Sequence, residues 1–316
     1  MFEWRIFMAI SAKMVKELRD ATGAGMMECK KALTETNGDM DAAVEFLRET
    51  GAAKAEKKAS RIAAEGLSLV FQKDDKTASI VEVNSETDFV ANNEKFRAYV
   101  EDVAEQAASS DARDLDSFLA EKWFKDPSKT VSEELVNQIA VIGENLKIRR
   151  FEKVTSDDLV VSYVHGNGRI SVAVNAKAEL VNDEVKEALH NVAMQIAALN
   201  PRYVRDSEVP GDFIAHETEI LKAQIENDPK EAAKPDKVKE GMIRGRINKE
   251  LKEICLVDQV YVKAEDGKQS VAKYLEQVSK QVGAAVDVVS FVRYETGEGL
   301  EKKEEDFAAE VAAAAK

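Results

Sequence analysis

Residues equipped for chemistry are few in this chain and poorly spaced for it. The three histidines are His165, His190 and His216, and none has a cysteine or second histidine at ligand spacing, as a zinc site would need. Cys29 and Cys255 lie far apart and fit no metal or redox pattern, which suits a reducing compartment. Gly23-Ala24-Gly25 is too short to cradle a phosphate and links two helical patterns rather than a strand and a helix. No Gly-x-Ser-x-Gly elbow occurs. Acids are abundant, 59 in all, so a pair such as Glu82 and Asp88 working as acid and base would announce itself by a bell-shaped pH profile. The expectation is a chain with no catalytic residue, no metal and no cofactor.

One short stretch stands out for a different chemistry. Glu86-Thr87-Asp88-Phe89-Val90-Ala91 lies between a strand pattern and a helix pattern. Turns there usually use Gly, Ser or Asn, and a Phe has no obvious turning role. An acid beside an aromatic on a rigid junction suits insertion into another protein better than bond making. The plain structural alternative is that Phe89 covers a sheet edge and Asp88 caps the following helix.

Composition narrows the partners. Net charge is −14, against nucleic acid as the main partner, because phosphate neutralisation needs an excess of Lys and Arg. No apolar run approaches the roughly 18 residues needed to span a bilayer. The opening Met1–Phe7 is too short and too charged for a signal peptide, and the regular pattern begins at Met8-Ala9-Ile10-Ser11, so Met8 rivals Met1 as the start. The expected location is cytoplasmic.

The elements that must position these residues read as an α+β chain. Residues 8–50 contain three short helices: Ser11 caps the first, Thr22–Gly25 breaks it, Met26 and Met27 open the second, and Asp39 caps the third. One of the two methionines is expected in the core. Residues 51–64 read as a helical linker. Residues 65–155 form a first core subdomain, with strands Leu67–Phe71 and Ser79–Asn84 and a helix over Asn93–Ala108; Leu115–Leu146 reads as helical, interrupted at Asp126-Pro127. Residues 156–206 repeat the plan, with strands Leu159–His165 and Arg169–Asn175 around Asn167-Gly168, the strongest short hairpin signal. Residues 207–257 predict an antiparallel helical hairpin with its tip near 228–236, in which Gly241 and Gly245 would let two backbones approach. Residues 258–294 return to the second subdomain, with a helix over Val271–Val282 and a strand over Val288–Tyr294. Residues 295–316 make a C-terminal module ending in an acidic, alanine-rich helical tail.

The repeat offers an internal control. The helices share register, Asn92, Glu94, Ala107 and Ala108 matching Asn182, Glu184, Ala197 and Ala198, and Thr87–Val90 is read opposite Ala178–Val181. Leu180 and Val181 read as core there. A scaffold satisfied by plainer residues at one copy argues that Thr87, Asp88 and Phe89 serve something besides packing.

Several motifs now converge on one family. Leu18–Leu33 followed by Asn37-Gly38-Asp39, Glu82-Val83-Asn84 with Thr87–Ala91, Ile142-Gly143-Glu144-Asn145, Ser162-Tyr163 with His165-Gly166, and Gly297-Glu298-Gly299 together resemble bacterial elongation factor Ts. The resemblance runs from Met8 to the C-terminus in the expected order. It implies a guanine-nucleotide exchange factor for elongation factor Tu, not an enzyme, with a ubiquitin-associated-like (UBA-like) three-helix domain, a two-part core and a projecting coiled-coil hairpin. It further implies that Thr87, Asp88, Phe89 and Val90 insert near the partner's magnesium site, with Met26, Met27, His165 and Gly166 as further contact candidates. No direct nucleic acid or membrane contact is implied, and a homodimer is compatible with the sequence. The alternative is a non-catalytic scaffold or chaperone-like binder. The hairpin tip, with Pro229 and Pro235, departs from the family pattern, and so does Met1–Phe7 ahead of Met8.

Overall fold

The computed structural model describes residues 10–301; the choice between Met1 and Met8, and the alanine-rich tail, lie outside them. Two compact units arise, one from the chain up to Leu69, Val81–Phe151 and the chain from Glu295, the other from Val70–Ile80 and Glu152–Tyr294.

Helices α1 (Ala12–Thr22), α2 (Met26–Glu35) and α3 (Met40–Lys58) open the chain. Ser11 Oγ accepts from the Met14 N–H at 3.2 Å and Asp39 Oδ1 from Ala42 at 3.0 Å, each satisfying an orphan amide of a first turn. Gly23, at φ 69°, ends α1 in the left-handed conformation that glycine adopts without steric cost. Val15, Leu18, Cys29, Ala32, Leu33 and Ala43 bury against one another to form this bundle's core. Much of the expected linker is not separate, because α3 continues unbroken to Lys58. Gly51 is buried within it, and a Cβ there would sit 3.5 Å from Ala140 Cβ, so the glycine permits a close helix–helix approach.

The remaining elements are β1 (Glu65–Asp74), β2 (Thr77–Ser85), α4 (Asp88–Ala91), α5 (Glu94–Ser109), α6 (Leu115–Ala120), β3 (Lys122–Trp123), β4 (Asp126–Thr130), α7 (Val131–Ile142), β5 (Lys147–Thr155), β6 (Leu159–His165), β7 (Ile170–Ala178), α8 (Asp183–Leu199), α9 (Gly211–Asn227), α10 (Pro229–Ala232), α11 (Asp236–Ile254), α12 (Val271–Val282) and β8 (Val286–Glu295). Mixed helix and sheet is thus the observed class. Two three-stranded sheets have the orders β1-β2-β5 and β6-β7-β8. In the second, β6 and β7 pair antiparallel from Leu159↔Ala176 to His165↔Ile170. Its inner face, with α8 and α12, buries Val172, Val174, Leu189, Val192, Ile196, Leu275 and Val288.

One sequence expectation needs correction here. The stretch 115–146 is not helical throughout: Lys122–Trp123 and Asp126–Thr130 form an antiparallel pair, and Pro127 lies in a two-stranded edge, where proline's missing N–H costs nothing. Strand β5, Lys147–Thr155, has no assignment in the sequence reading and carries many charges. Its arginines are satisfied inside the fold, where Arg149 Nη1 and Arg150 Nε donate to buried Glu82 at 3.0 and 2.6 Å.

The repeat is real, deeper than the sequence suggests, and shifted by one residue. Asn93, not Asn92, is the counterpart of Asn182, since each caps its helix through its side-chain oxygen. The buried faces then match position for position: Phe96, Tyr99, Val100, Val103, Ala104, Gln106, Ala107 and Ala108 on α5, against Val185, Ala188, Leu189, Val192, Ala193, Gln195, Ile196 and Ala197 on α8. The two buried glutamines do the same work. Gln106 Nε2 donates to the Lys122 carbonyl at 3.2 Å and its oxygen accepts from the Phe124 N–H at 2.8 Å. Gln195 brackets Val260 and Val262 at 3.1 and 2.8 Å. Next, α7 and α12 both run for 12 residues, capped by Thr130 and Ser270, and end on left-handed Gly143 and Gly283. Each is followed by the third strand of its sheet.

Helices α9 and α11 pack together, joined by α10, and Asp228 caps α10 with Pro229 at its first position. Arg246 Nη2 bonds Glu231 at 2.7 Å across the tip. A Cβ at Gly241 or Gly245 would meet nothing within 4 Å, so these glycines do not mark a close approach. They sit on an exposed helix face instead.

Candidate functional site

Thr87–Val90 is a helical turn rather than a loop. Between Ser85 and the cap Asn93 the chain makes the four-residue helix α4, Asp88–Ala91. The second copy goes from Ala178 to Asn182 without it, through Glu179-Leu180-Val181. The residues opposite Thr87–Val90 in the sequence repeat are therefore not their structural equivalents: α4 is an insertion in the first copy.

Its cap is Thr87, not Asp88. Thr87 Oγ1 accepts from the Val90 N–H at 3.4 Å, and the carbonyl of Asp88 accepts from the Asn92 backbone and side chain at 3.1 and 3.0 Å. Ala91 is the one buried residue of the turn. Phe89 covers nothing: it is 84% exposed, the most exposed large hydrophobic among the described residues. A full aromatic side chain left in water forgoes roughly 2–3 kcal/mol of burial, so the isolated chain gains no packing from it. Asp88 beside it is exposed as well.

The turn's base is held firmly. The Glu144 carboxylate accepts from the Glu86 and Thr87 N–H groups at 3.0 and 3.1 Å and from the Thr87 hydroxyl at 2.6 Å. The exchange is mutual, since the Asn145 N–H donates to Glu86 Oε1 at 2.6 Å. Asn145 Nδ2 then reaches the Arg61 carbonyl at 2.8 Å. In the sequence Glu144 and Asn145 belong to a motif but carry no assigned role; the available signal is a carboxylate directly after the left-handed Gly143.

The other candidates sit on different elements. Met26 and Met27 start α2 and are 57% and 74% exposed, so neither is the core residue expected. Leu180 and Val181, read as core, are 42% and 39% exposed. His165 ends β6, exposed, with its Nδ1 2.7 Å from the Tyr163 hydroxyl. Gly166 begins a turn in which Gly166, Asn167 and Gly168 all have positive φ.

Acid–base and nucleophilic alternatives find little geometry. Glu82 is fully buried, and its two oxygens accept from Asn84, Arg149, Arg150 and the Gly297 N–H. Burial alone would raise its pKa; the Gly297 amide, Asn84 and the two arginines outweigh that and hold it below the usual carboxylate value. It has no lone pair left for proton transfer with Asp88. Burial pushes the Cys29 thiol up and the Cys255 thiol to about 11, away from nucleophilic thiolate chemistry. Among the described residues, no three or more His, Cys, Asp or Glu are grouped to hold a metal ion, and no helix is long and apolar enough to cross a membrane.

Among the described residues, a duplicated α+β scaffold carries its most exposed large hydrophobic, Phe89, on a pinned surface turn. The chain belongs to the elongation factor Ts family. The family described as Elongation factor TS matches residues 86–298. Similar relatives include Elongation factor Ts of Clostridium novyi (strain NT), 51% identical over 304 residues covering 96% of this chain and 97% of that protein. Elongation factor Ts of Clostridioides difficile (strain 630) is 50% identical, covering 96% and 98%. That of Clostridium perfringens (strain 13 / Type A) is 50% identical over 305 residues with the same coverage. The resemblance read from the motifs is borne out, and the chain joins the elongation factors of protein biosynthesis.

Proposed function

We propose that this chain accelerates GDP release from elongation factor Tu, with Phe89 as the inserted wedge and Asp88, Thr87 and Val90 completing the contact. The observation that carries this reading is a Phe that is 84% exposed on a turn whose base is pinned by three hydrogen bonds to Glu144. A GTPase grips GDP through its phosphate loop and a magnesium ion. An aromatic pushed beside that ion displaces the elements that hold it, and the phosphate grip weakens. Linkage makes the effect reciprocal: GDP weakens the factor's binding as much as the factor weakens GDP's. The factor therefore speeds exchange without shifting the overall equilibrium and has no catalytic centre of its own.

The finer architecture follows the same reading. Residues 8–50 act as a UBA-like domain whose exposed Met26 and Met27 dock on the GTPase domain, flexible thioethers suiting an irregular groove. Helices α9–α11 act as a coiled-coil hairpin, His165 and Gly166 supply a further contact, and the factor works in the cytoplasm.

Stopped-flow release of labelled GDP tests this. The parent chain accelerates release, and Phe89→Ala slows the accelerated rate at least about tenfold, or about 1.4 kcal/mol of lost transition-state stabilisation. Asp88→Ala has a smaller effect. Tight partner binding with an unchanged GDP off-rate would replace this reading with a scaffold.

A further inference from the structure

We infer that Glu144 is the positioning residue of the exchange turn, the side chain that gives Phe89 its fixed direction; the inference rests on the proposed exchange function. Two places in the same chain can be set side by side. In both copies, a glutamate that follows the second strand bonds the residue two before the third strand or next to it. Glu86 Oε1 accepts from the Asn145 N–H at 2.6 Å, and Glu179 Oε2 accepts from the Ala285 N–H at 3.3 Å. In the second copy the Glu179 N–H closes the pair by donating to the Ala285 carbonyl at 3.2 Å. In the first copy the corresponding Glu86 N–H goes instead to the Glu144 carboxylate, which also takes the Thr87 N–H and hydroxyl.

The position matching Glu144 after α12 is Ala284. The carboxylate thus occurs in the copy that carries the inserted turn and not in the copy that lacks it. An added four-residue helix is far too short to be stable by itself. Its direction must come from what holds its first residues, and Glu144 holds two amides and the capping hydroxyl at once. Two residues beyond Thr87 stands Phe89. Charge-assisted bonds of this kind are stronger than neutral ones, so they suit a turn that must not yield when an aromatic is pushed into a partner.

Two measurements on the full chain test this, one independent of exchange. In Glu144→Ala, amide hydrogen exchange at Glu86, Thr87 and Val90 rises about tenfold or more, while Glu179 stays as protected as in the parent. In stopped-flow titrations the saturating GDP-release rate falls about tenfold with a smaller change in the half-saturating concentration. Glu144→Gln, which keeps one acceptor oxygen, lies between. Adding Glu144→Ala to Phe89→Ala produces little further slowing, because the two act through one contact. Unchanged amide protection, a saturating rate within about twofold of the parent, or defects that multiply in the double variant would each overturn the inference. A parent chain that does not accelerate GDP release would overturn the proposed function instead, and the amide measurement would still decide whether Glu144 orders the turn.

Discussion

The two copies of the repeat share a hydrogen-bonded frame and differ at their connections. Both use an asparagine-capped helix with a buried glutamine, a twelve-residue helix ending on a left-handed glycine, and a three-stranded sheet of the same order. The first copy adds one turn between strand and helix, while the second adds α9–α11 between its two helices. What is common keeps each copy folded; the additions bury little, Ala91 on α4 and Ile225 on α9, while Phe89 is exposed and α11 has no buried residue. Position in a duplicated frame therefore separates shared packing from added surface better than residue type does.

The sharpest way to break the comparison is to convert the first copy into the second. Excising Asp88–Ala91 leaves a connection as short as 179–181 and removes only one buried residue, Ala91. We expect the protein to fold, with the near-ultraviolet circular dichroism of the parent, and to lose GDP-release activity entirely in the stopped-flow assay. Failure to fold would mean that the inserted turn belongs to the frame.

Next in size is Glu82, which ties the first copy's second and third strands together through buried charge. Glu82→Gln leaves Arg149 and Arg150 short of their partner and costs on the order of 3 kcal/mol at pH 7, read by urea unfolding. The sign with pH follows from a folded pKa held below the unfolded value. The stabilisation is complete above the ordinary carboxylate pKa of 4.5 and is lost as pH falls through the lowered folded value. The gap between parent and variant therefore narrows with acid below about pH 4.

The paired glutamines come third. Gln106→Leu and Gln195→Leu each strand a backbone donor and acceptor, and each costs about 2 kcal/mol in urea unfolding. Equal losses sharpen the claim of a common frame, and a loss confined to one site would break it. The smallest effect is Leu180→Ala in the short connection. Being half exposed, it changes stability by less than about 0.5 kcal/mol and leaves GDP release at the parent rate.

How far the sequence can be read follows the same division. Caps, hairpins and helical stripes are legible because they depend on neighbours: Ser11, Asp39 and the 3.6-residue spacing of α5 and α8 are local signals. Strand β5 is hidden because the partner of its arginines, Glu82, lies far away in the chain. The repeat is visible but misaligned by one, since the alanines at the helix ends match almost as well in either register, and only burial tells them apart. Thr87–Val90 is legible as a candidate by its odd composition. Its nature as an inserted turn, and Glu144 beneath it, needs the fold.

The Gly297 amide reaches Glu82 across 215 residues of sequence, at 2.8 Å, and a Cβ at Gly297 would lie 2.1 Å from the Ala64 carbonyl oxygen. Synthesis runs from the N-terminus, so the first copy emerges from the ribosome long before this partner exists. Until Gly297 has been made, Glu82 lacks one of its donors and the frame around it stays incomplete. The first copy, made before the second, is thus completed by a residue made after it. A nascent chain therefore completes the set of donors around Glu82 only once residue 297 has been made.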